Sequence, residues 1–242
     1  MNRYQLIFQL FFLYGVSMAN NVPAVTAGTG QIEINGTGVN VHTNCIEGSG
    51  VVKTEKRELL SFTAIEVGGH FDVIVECQKK QCVEVSGDDN ILPLITTSVH
   101  NGVLLIDIVP NMPICPKMQL LVKITAGNIE NISAMGANGI SISQLNNKRF
   151  TVQASGSGSI LASGKTSEFV VNVRGSTNIN AKGLRSEKVR ISISGVAEAA
   201  VYASQALQAQ ISGVGNVSYY GNPVEISKTV TGAGRIEQKE RE

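Results

Sequence analysis

The chain has 242 residues, of which 43% are hydrophobic and 16% are charged, and its formal net charge is +1. This length is enough to bury a sizeable core in one domain or two. A net charge so close to zero excludes the strongly basic surface that nucleic-acid-binding proteins present, and we expect no nucleic-acid partner.

The first residues have the pattern of a secretory signal peptide. Arg3 supplies a positive start, residues 6–16 form an apolar run, and the small residues Ser17 and Ala19 mark a cleavage site. The run is too short to span a bilayer, and no later stretch is long enough to do so. We therefore predict that residues 1–19 are a signal peptide. The mature protein, without an integral membrane segment, is expected in the periplasm, in the outer cell envelope or outside the cell.

The segment after the predicted signal is rich in Gly, Thr and Asn. Residues 20–47 predict a linker or a loosely docked leader, with two short strand-like runs at residues 31–34 and 39–41.

An irregular N-terminal β part is predicted for residues 48–116. Its strand-like runs are separated by Gly- and Asn-rich turn signals. The predicted strands are residues 64–67, 71–76, 83–86 and 103–109. A short helix is predicted only within residues 89–99, where Pro93 would occupy the first turn.

Four cysteines fit an oxidising destination. Cys77 and Cys82 lie between two strand-like runs and predict a disulfide across a hairpin. Cys45 and Cys115 are the remaining pair, a weaker prediction. A metal site is the rival interpretation, but no double C-x-x-C occurs and the histidines are scattered. We expect neither a metal nor a cofactor.

The acidic turn at residues 88–90, Asp-Asp-Asn, offers hard oxygen ligands for Ca²⁺. The same residues suit a turn and cap before Ile91, and that interpretation is favoured.

Residues 117–242 contain a glycine-marked repeat and a charged C-terminal tail. Six segments begin with a glycine, and these glycines are 20, 19, 20, 18 and 19 residues apart. The leading glycines are Gly136, Gly156, Gly175, Gly195, Gly213 and Gly232. A near-constant period of this size predicts a stacked, one-dimensional architecture. Because the Gly-rich segment recurs among strands, it does not indicate a single nucleotide-binding loop.

Three apolar columns appear when the repeat is aligned on these glycines. Two residues before the glycine come Ala134, Ala154, Val173, Ile193, Ile211 and Val230. Four residues after it come Ile140, Ile160, Ile179, Ala199, Val217 and Ile236. Six residues after it come Ile142, Ala162, Ala181, Val201 and Tyr219, followed by Gln238. Apolar columns alternating with polar residues predict an all-β, single-stranded parallel β-helix, whose coils of about 19–20 residues stack about 4.8 Å apart.

The chain resembles the bacterial family of putative auto-transporter adhesins, head GIN domain. The matching residues lie between positions 48 and 236 and end in the Ser-Gly-x-Gly repeats and Tyr219-Tyr-Gly-Asn-Pro-Val224. Earlier matching segments are Glu58-Leu-Leu-Ser-Phe62, Ile65-Glu-Val-Gly68, Phe71-Asp-Val-Ile-Val75, Val83-Glu-Val-Ser-Gly-Asp-Asp-Asn90 and Gly102-Val-Leu-Leu-Ile106. The resemblance implies a right-handed β-helix and export, and it implies little chemistry.

The charged residues of the repeat are concentrated in two successive coils. A solvated coil edge is the ordinary interpretation, and a binding patch is the alternative. Tyr219 falls in an inward column, so Tyr220 is the tyrosine expected to be exposed. The candidate surface residues are Lys182, Arg185, Lys188, Arg190 and Tyr220.

No catalytic residue is assigned from the sequence. No carboxylate pair has a spacing that brings it together, and no Gly-x-Ser-x-Gly has a His partner. We therefore expect an exported, non-enzymatic scaffold for adhesion, envelope association or self-association, with an unknown protein or glycan partner. The alternative is a carbohydrate-active or glycan-binding β-helix. Short coils leave little material for a cleft and favour the scaffold.

The two ends of such a β-helix need protection because their strand edges are unpaired. We predict that Lys228, Gln238 and the charged tail cap the last coil, and that strands between residues 48 and 109 cover the first.

Overall fold

The computed structural model describes residues 45–240, together with the backbone of two short strands before them. Ile32–Ile34 (β1) and Thr37–Val39 (β2) pair antiparallel within the unit that ends at Asn44. The predicted signal peptide, residues 1–19, and most of the predicted leader lie outside the described residues.

The second unit, from Cys45 onward, consists almost entirely of strands. They are β3 (Ile46–Glu47), β4 (Val52–Arg57), β5 (Ala64–Val67), β6 (Asp72–Glu76), β7 (Cys82–Asp88), β8 (Ile95–His100), β9 (Val103–Ile108), β10 (Ile114–Cys115), β11 (Leu121–Thr125), β12 (Asn131–Ala134), β13 (Ala137–Ala154), β14 (Ser157–Val173), β15 (Ser176–Ile193), β16 (Val196–Ile211), β17 (Val214–Tyr220), β18 (Glu225–Val230) and β19 (Ala233–Gln238). A 3₁₀ turn, Leu92–Leu94, separates β7 from β8. In this part of the chain, no helix is long and apolar enough to cross a membrane.

The repeat folds as the parallel β-solenoid that its period predicts. Each of β13 to β16 winds around most of one coil and pairs in parallel with the equivalent strand of the next coil. The column four residues after the glycine stacks in register, from Ile140 through Ile179 to Ile236. Its first five members are at most 4% exposed. This central ladder is confirmed as part of the core.

The column two residues before the glycine also stacks in register through every coil. It runs from Ala134 to Ile211 in the core and ends at Val230, which is 42% exposed in the last coil. Between the columns, the Phe150 and Phe169 rings stack with centroids 5.7 Å apart. The interior beside the central ladder is therefore filled by small aliphatic residues and these two rings.

The leading glycines form a ladder of their own at one corner, because successive backbones meet there. A Cβ on Gly156, Gly175 or Gly195 would overlap the carbonyl oxygen of the glycine one coil earlier. That oxygen already accepts a hydrogen bond from the residue after the glycine, as Ser176 N–H to Gly156 O shows at 2.9 Å. Close approach of two backbones is therefore what requires glycine here.

The N-terminal strands continue the same solenoid, but not in chain order. β5 pairs in parallel with both β9 and β12, and β6 pairs in parallel with both β11 and β13. The coil formed by β5 and β6 therefore lies between the β9–β11 coil and the first repeat coil, although it precedes both in the sequence. Gly69 begins the glycine ladder, since its carbonyl accepts from Ala137 N–H at 2.9 Å.

Antiparallel strands cover the first end of the solenoid, as predicted. β8 pairs with β9 at the edge of one face, and β7 and then β4 pair beyond β11 at the edge of the other. The helix expected within residues 89–99 is reduced to the turn Leu92–Leu94, which contains Pro93. Residues 89–91 are a turn, and the residues after Leu94 belong to strand β8, because Ile95, Thr97 and Val99 are β-branched and pair with β9.

The predicted disulfide between Cys77 and Cys82 is wrong, because the hairpin it requires does not exist. β11 lies between β6 and β7, so Thr125 has Glu76 as its partner on one side and Cys82 on the other. Two strand spacings, about 9.6 Å, separate β6 from β7, whereas bridged Cα atoms lie within about 7 Å. Both thiols are free, and burial raises the pKa of the Cys77 thiol to about 11.

The remaining pair forms the disulfide. Cys45 and Cys115 are bridged with a Cα–Cα distance of 5.7 Å across a separation of 70 residues. The bridge lies beside the short parallel pair β3 and β10, where Gly48 N–H donates to Cys115 O at 2.9 Å. It ties the start of the described chain to the segment that leads into β11.

The last coil carries the polar groups expected of a cap. Lys228 occupies a position in register with buried Ala209, and its Nζ lies 3.0 Å from the Tyr219 hydroxyl and 3.3 Å from Ile236 O. Gln238 Nε2 donates to Gly221 O at 2.9 Å. These polar contacts close part of the interior at the end of the solenoid.

Candidate functional site

The acidic turn at residues 88–90 organises the backbone. Asp88 is fully buried, and its carboxylate accepts hydrogen bonds from Gly50, Lys117 and Met118 N–H at 2.7 to 3.0 Å. Burial alone would raise the pKa of Asp88, but these backbone donors outweigh it and hold the pKa below its ordinary value. The turn interpretation is therefore supported. In the described range, no group of three or more His, Cys, Asp or Glu residues is placed to hold a metal ion.

The structure separates the five candidate surface residues into two groups. Arg185 lies in register with Tyr202, and Tyr202 with Tyr220, so these three side chains follow one another along a ladder parallel to the solenoid axis. Lys188 lies on the next face, in register with Glu168. Arg190 is on that face as well.

The residues of that second face are tied to one another. The Glu168 carboxylate pairs with Arg190 Nη1 at 3.3 Å and with Arg149 Nε at 3.5 Å, across neighbouring coils. These cations are therefore at least partly neutralised. Lys182 is exposed in the stretch where the register shifts between Ala181 and Arg185, and it belongs to neither ladder.

The ladder of Arg185, Tyr202 and Tyr220 extends to Lys165, which is in register with Arg185, and to Asn146 before it. Two open depressions flank the Arg185–Tyr202 pair, which lines both of them. The first, of about 500 Å³, is lined by Asn146, Asn147, Lys165, Thr166, Ser167, Arg185, Ser186, Glu187, Tyr202 and Ser204. The second, of about 580 Å³, is lined by Arg185, Tyr202, Gly221, Asn222, Gln238, Lys239 and Glu240. We call the two depressions and the ladder between them the corner groove.

Arg185 is held against Tyr202 at the middle of the corner groove. Its guanidinium carbon lies 4.3 Å from the centre of the Tyr202 ring, within cation–π range. Gly221 lies beside that ring. Its φ angle is +92°, and a Cβ there would overlap Ala203 O and also lie 3.2 Å from Tyr202 Cε2, so the close approach of two backbones requires glycine. This contact restrains the position of the guanidinium group, whose five N–H groups can donate to a ligand.

Buried hydroxyl groups hold the backbone beside the two cations. Thr166 and Ser186 follow Lys165 and Arg185, pair in register, and are at most 4% exposed. Thr166 Oγ1 donates to Glu168 O at 3.2 Å, and Ser186 Oγ donates to Leu184 O at 3.3 Å. The short local bonds turn the chain at this edge, so they direct successive side chains outward at a fixed strand spacing.

Lys165 and Arg185 keep their positive charges unpaired. Neither has a carboxylate within 4.0 Å among residues 45–240. Adjacent coils place them about 4.8 Å apart along the axis. Glu187 lines the same depression, so the local balance of these three groups is one positive charge.

A second groove lies on the face that carries the central ladder. It has a volume of about 560 Å³, and Asn178, Glu198, Asn216 and Arg235 cross its floor in register. Arg235 Nη1 lies 3.9 Å from the Glu237 carboxylate, which also pairs with Lys239. This groove is polar, and its charges are internally compensated.

The family comparison agrees with the fold and the repeat. The family model for the putative auto-transporter adhesin, head GIN domain, matches residues 61–223. The chain belongs to this family. The head GIN match includes the coils that carry Lys165, Arg185, Tyr202 and Tyr220, and it ends before Lys239.

Solved structures of putative adhesins are also similar to this chain. A putative adhesin from Bacteroides fragilis is 21% identical, with 80% of this chain and 100% of that chain covered and a TM-score of 0.67. A putative adhesin from Parabacteroides merdae is also 21% identical, over 80% of this chain and 98% of that chain, with a TM-score of 0.45. The first likeness shows a shared fold. A comparison with curated protein sequences finds no match.

Two residues of the corner groove, Lys165 and Tyr202, are not among the five sequence candidates, because the register that aligns them with Arg185 departs from a constant period. Counting seven residues from each leading glycine aligns Lys182, not Arg185, with Tyr202 and Tyr220. In the structure of this chain, a register shift between Ala181 and Arg185 brings Arg185 into line with Tyr202 and Tyr220. The signal that could have revealed the shift is the change in glycine spacing, from 20 residues between Gly175 and Gly195 to 18 between Gly195 and Gly213.

Proposed function

We propose that this head GIN chain is an exported, non-enzymatic scaffold that binds a partner in the cell envelope through the corner groove. Family membership supports an adhesin-like role. The Cys45–Cys115 disulfide supports an oxidising compartment outside the cytoplasm. The signal-like sequence of residues 1–19 is consistent with the same destination.

The solenoid is suited to presenting a surface. Each repeat coil is hydrogen-bonded along its length to the coil before it and the coil after it. Side chains that share a register position are therefore held at a constant spacing along a stiff axis. The depressions of the corner groove are open along that axis, which suits an extended partner better than a small molecule that must be enclosed.

The observation that carries the proposal is the ladder of Lys165, Arg185, Tyr202 and Tyr220. Residues spread over 56 positions of sequence are brought onto one line by the strand register. Arginine and tyrosine are among the side chains that contribute most to binding at protein surfaces. On the neighbouring face, by contrast, Glu168 neutralises the arginines.

Attachment of protein-coated beads to bacterial envelope preparations tests the proposal. The variant K165Q/R185Q removes two positive charges from the corner groove. The variant K182Q/K188Q removes two positive charges from exposed positions outside it, so total charge is matched. We expect the first variant to lose most of the attachment and the second to keep it.

As a control, circular dichroism and thermal unfolding should be measured for both variants, and only folded variants are compared. Equal attachment by folded K165Q/R185Q and the unmodified chain would remove the corner groove from the proposal. Equal loss in both variants would show that attachment depends on overall charge and not on a site.

A further inference from the structure

We propose that the partner of the corner groove is an acidic polysaccharide, bound as an extended chain along the solenoid axis. This inference rests on the proposed function and names the chemistry of the partner. It follows from three features of the groove, namely its unpaired cations, its hydroxyl and amide lining, and its direction across the strands.

The cations call for an anionic ligand. Lys165 and Arg185 lie in adjacent coils, have no ion-pair partner in the described residues, and reach the same depression. Arg185 presents planar N–H groups, which match the two oxygens of a carboxylate or sulfate. Glu187 is the one acidic residue of that depression, and it leaves a net charge of +1 for the three charged groups there.

The rest of the lining matches a ligand rich in hydroxyl groups. Its exposed neutral polar side chains are Asn146, Ser167, Ser204, Asn222 and Gln238. Amide and hydroxyl side chains both donate and accept hydrogen bonds, as sugar hydroxyls do. No large aliphatic side chain is among the described residues that line either depression, so a lipid surface finds nothing to bury.

An acidic peptide fits less well because the groove runs across the strands. Outside the register shifts, the residues of β14, β15 and β16 are paired with those of the coils above and below, and these strands run perpendicular to the groove. A peptide lying along the groove could not add as a strand and would lose the main-chain hydrogen bonds that give such complexes their affinity.

A nucleic acid also fits less well. Arg185 covers one face of the Tyr202 ring at 4.3 Å, so that face cannot serve as a platform for a base. The chain as a whole carries a formal net charge of only +1, whereas binding to a phosphate backbone needs many unpaired cations.

The dimensions suit several sugar units. From Asn146 to Tyr220, the ladder crosses four strand spacings, or about 19 Å along the axis. Acidic groups would lie at Lys165 and Arg185, and the following units would lie beside Tyr202 and Tyr220, whose phenol hydroxyls can donate and accept hydrogen bonds.

Binding of defined polymers to the full chain tests the inference. The acidic polysaccharides are polygalacturonate and dextran sulfate, and their neutral controls are methyl-esterified polygalacturonate and dextran. Polyglutamate serves as the acidic peptide. Isothermal titration calorimetry measures binding of each polymer at two salt concentrations. We expect binding to polygalacturonate or dextran sulfate, weakened by salt, and no binding to the two neutral polymers. No binding to either acidic polysaccharide, or equally tight binding of polyglutamate, would overturn the inference.

Single substitutions then locate the site. R185Q should weaken binding of the acidic polysaccharide about tenfold, since it removes charge-assisted hydrogen bonds. K188Q removes the same charge from the neighbouring face and should change affinity less than about twofold. Equal losses in folded R185Q and K188Q would overturn the inference.

The two proposals fail in different ways. If K165Q/R185Q abolishes attachment to envelope preparations but no acidic polysaccharide binds, the corner groove remains the site and its ligand is of another class. If polysaccharide binds through Arg185 but attachment is unaffected, the groove is a glycan site and the adhesive role is wrong.

Discussion

The repeat region, residues 131–240, and the N-terminal region, residues 45–130, build one solenoid by different means. In the repeat region, each coil follows its predecessor and contributes the same columns, so stability is distributed over many similar contacts. In the N-terminal region, coils stack out of chain order, and a disulfide and the buried Asp88 fix the connections. The difference indicates that regular periodicity is sufficient for stacking, whereas a change of order needs specific side chains.

The largest effect is expected from a charge in the central ladder. Ile179 is fully buried in the middle of the repeat region, so I179D would bury an unpaired carboxylate and cost more than about 4 kcal/mol. Asn172 is exposed and has Gln153 and Ser192 as its register partners, so N172D is the control. Thermal unfolding followed by circular dichroism should show I179D unfolded and N172D nearly unchanged. Equal melting temperatures would mean that the ladder does not face the core.

The N-terminal region should depend on its disulfide. The Cys45–Cys115 bridge closes a loop of 70 residues, and its loss in C45S/C115S should cost about 4 kcal/mol in the loop-entropy description. C82S, which removes a free thiol, is the control. Chemical denaturation monitors the free energy of unfolding, and mass spectrometry of the unreduced chain identifies the bridge. Detection of a Cys77–Cys82 bridge instead would contradict the strand order β6–β11–β7.

Within the repeat region, the glycine ladder should be the most sensitive backbone feature. G175A would force a methyl group against Gly156 O, and we expect a loss of about 3 kcal/mol from the resulting strain. Gly127, in the N-terminal region, has open space where a methyl group would lie, with no atom within 4 Å, which makes G127A the control. Thermal unfolding should separate the two variants clearly. A harmless G175A would show that the corner backbones do not approach each other so closely.

Asp88 should give the N-terminal region an acid-sensitive contribution. Because its pKa in the folded state lies below the ordinary value of 3.8, its contribution is present above pH 3.8 and is lost as the pH falls through the folded-state pKa. Unfolding in urea at pH 2 to 6 should therefore show a shallower pH dependence for D88N than for the unmodified chain. D89N, at the exposed neighbouring residue, should keep the original dependence. Identical profiles for D88N and the unmodified chain would be inconsistent with the backbone hydrogen bonds.

Most of the repeat region could be predicted from the sequence, because strand register copies the sequence period directly. The column from Ile140 to Ile236 stacks as the glycine alignment requires. The N-terminal region could not be predicted to the same depth. Nothing in the local pattern of β6 and β7 shows that β11, a strand much later in the chain, lies between them. The wrong prediction of a Cys77–Cys82 disulfide follows from this insertion.

The corner groove could be predicted only in part. Arg185 and Tyr220 were among the sequence candidates, whereas the roles of Lys165 and Tyr202 depend on register shifts that a constant period cannot show. Lys188 and Arg190 were plausible because charge is visible in the sequence. Their position on another face, beside Glu168, is visible only in the structure.

The central functional claim is that strand register, and not the density of charge in the sequence, decides which residues bind. Attachment to envelope preparations, measured for five single variants, tests it most directly. The variants are K182Q, R185Q, K188Q, R190Q and Y220S. We predict that R185Q causes the largest loss, that Y220S causes a smaller one, and that the other three remain close to the unmodified chain. Losses that follow charge removal alone, equal in R185Q, K188Q and R190Q and absent in Y220S, would contradict the claim.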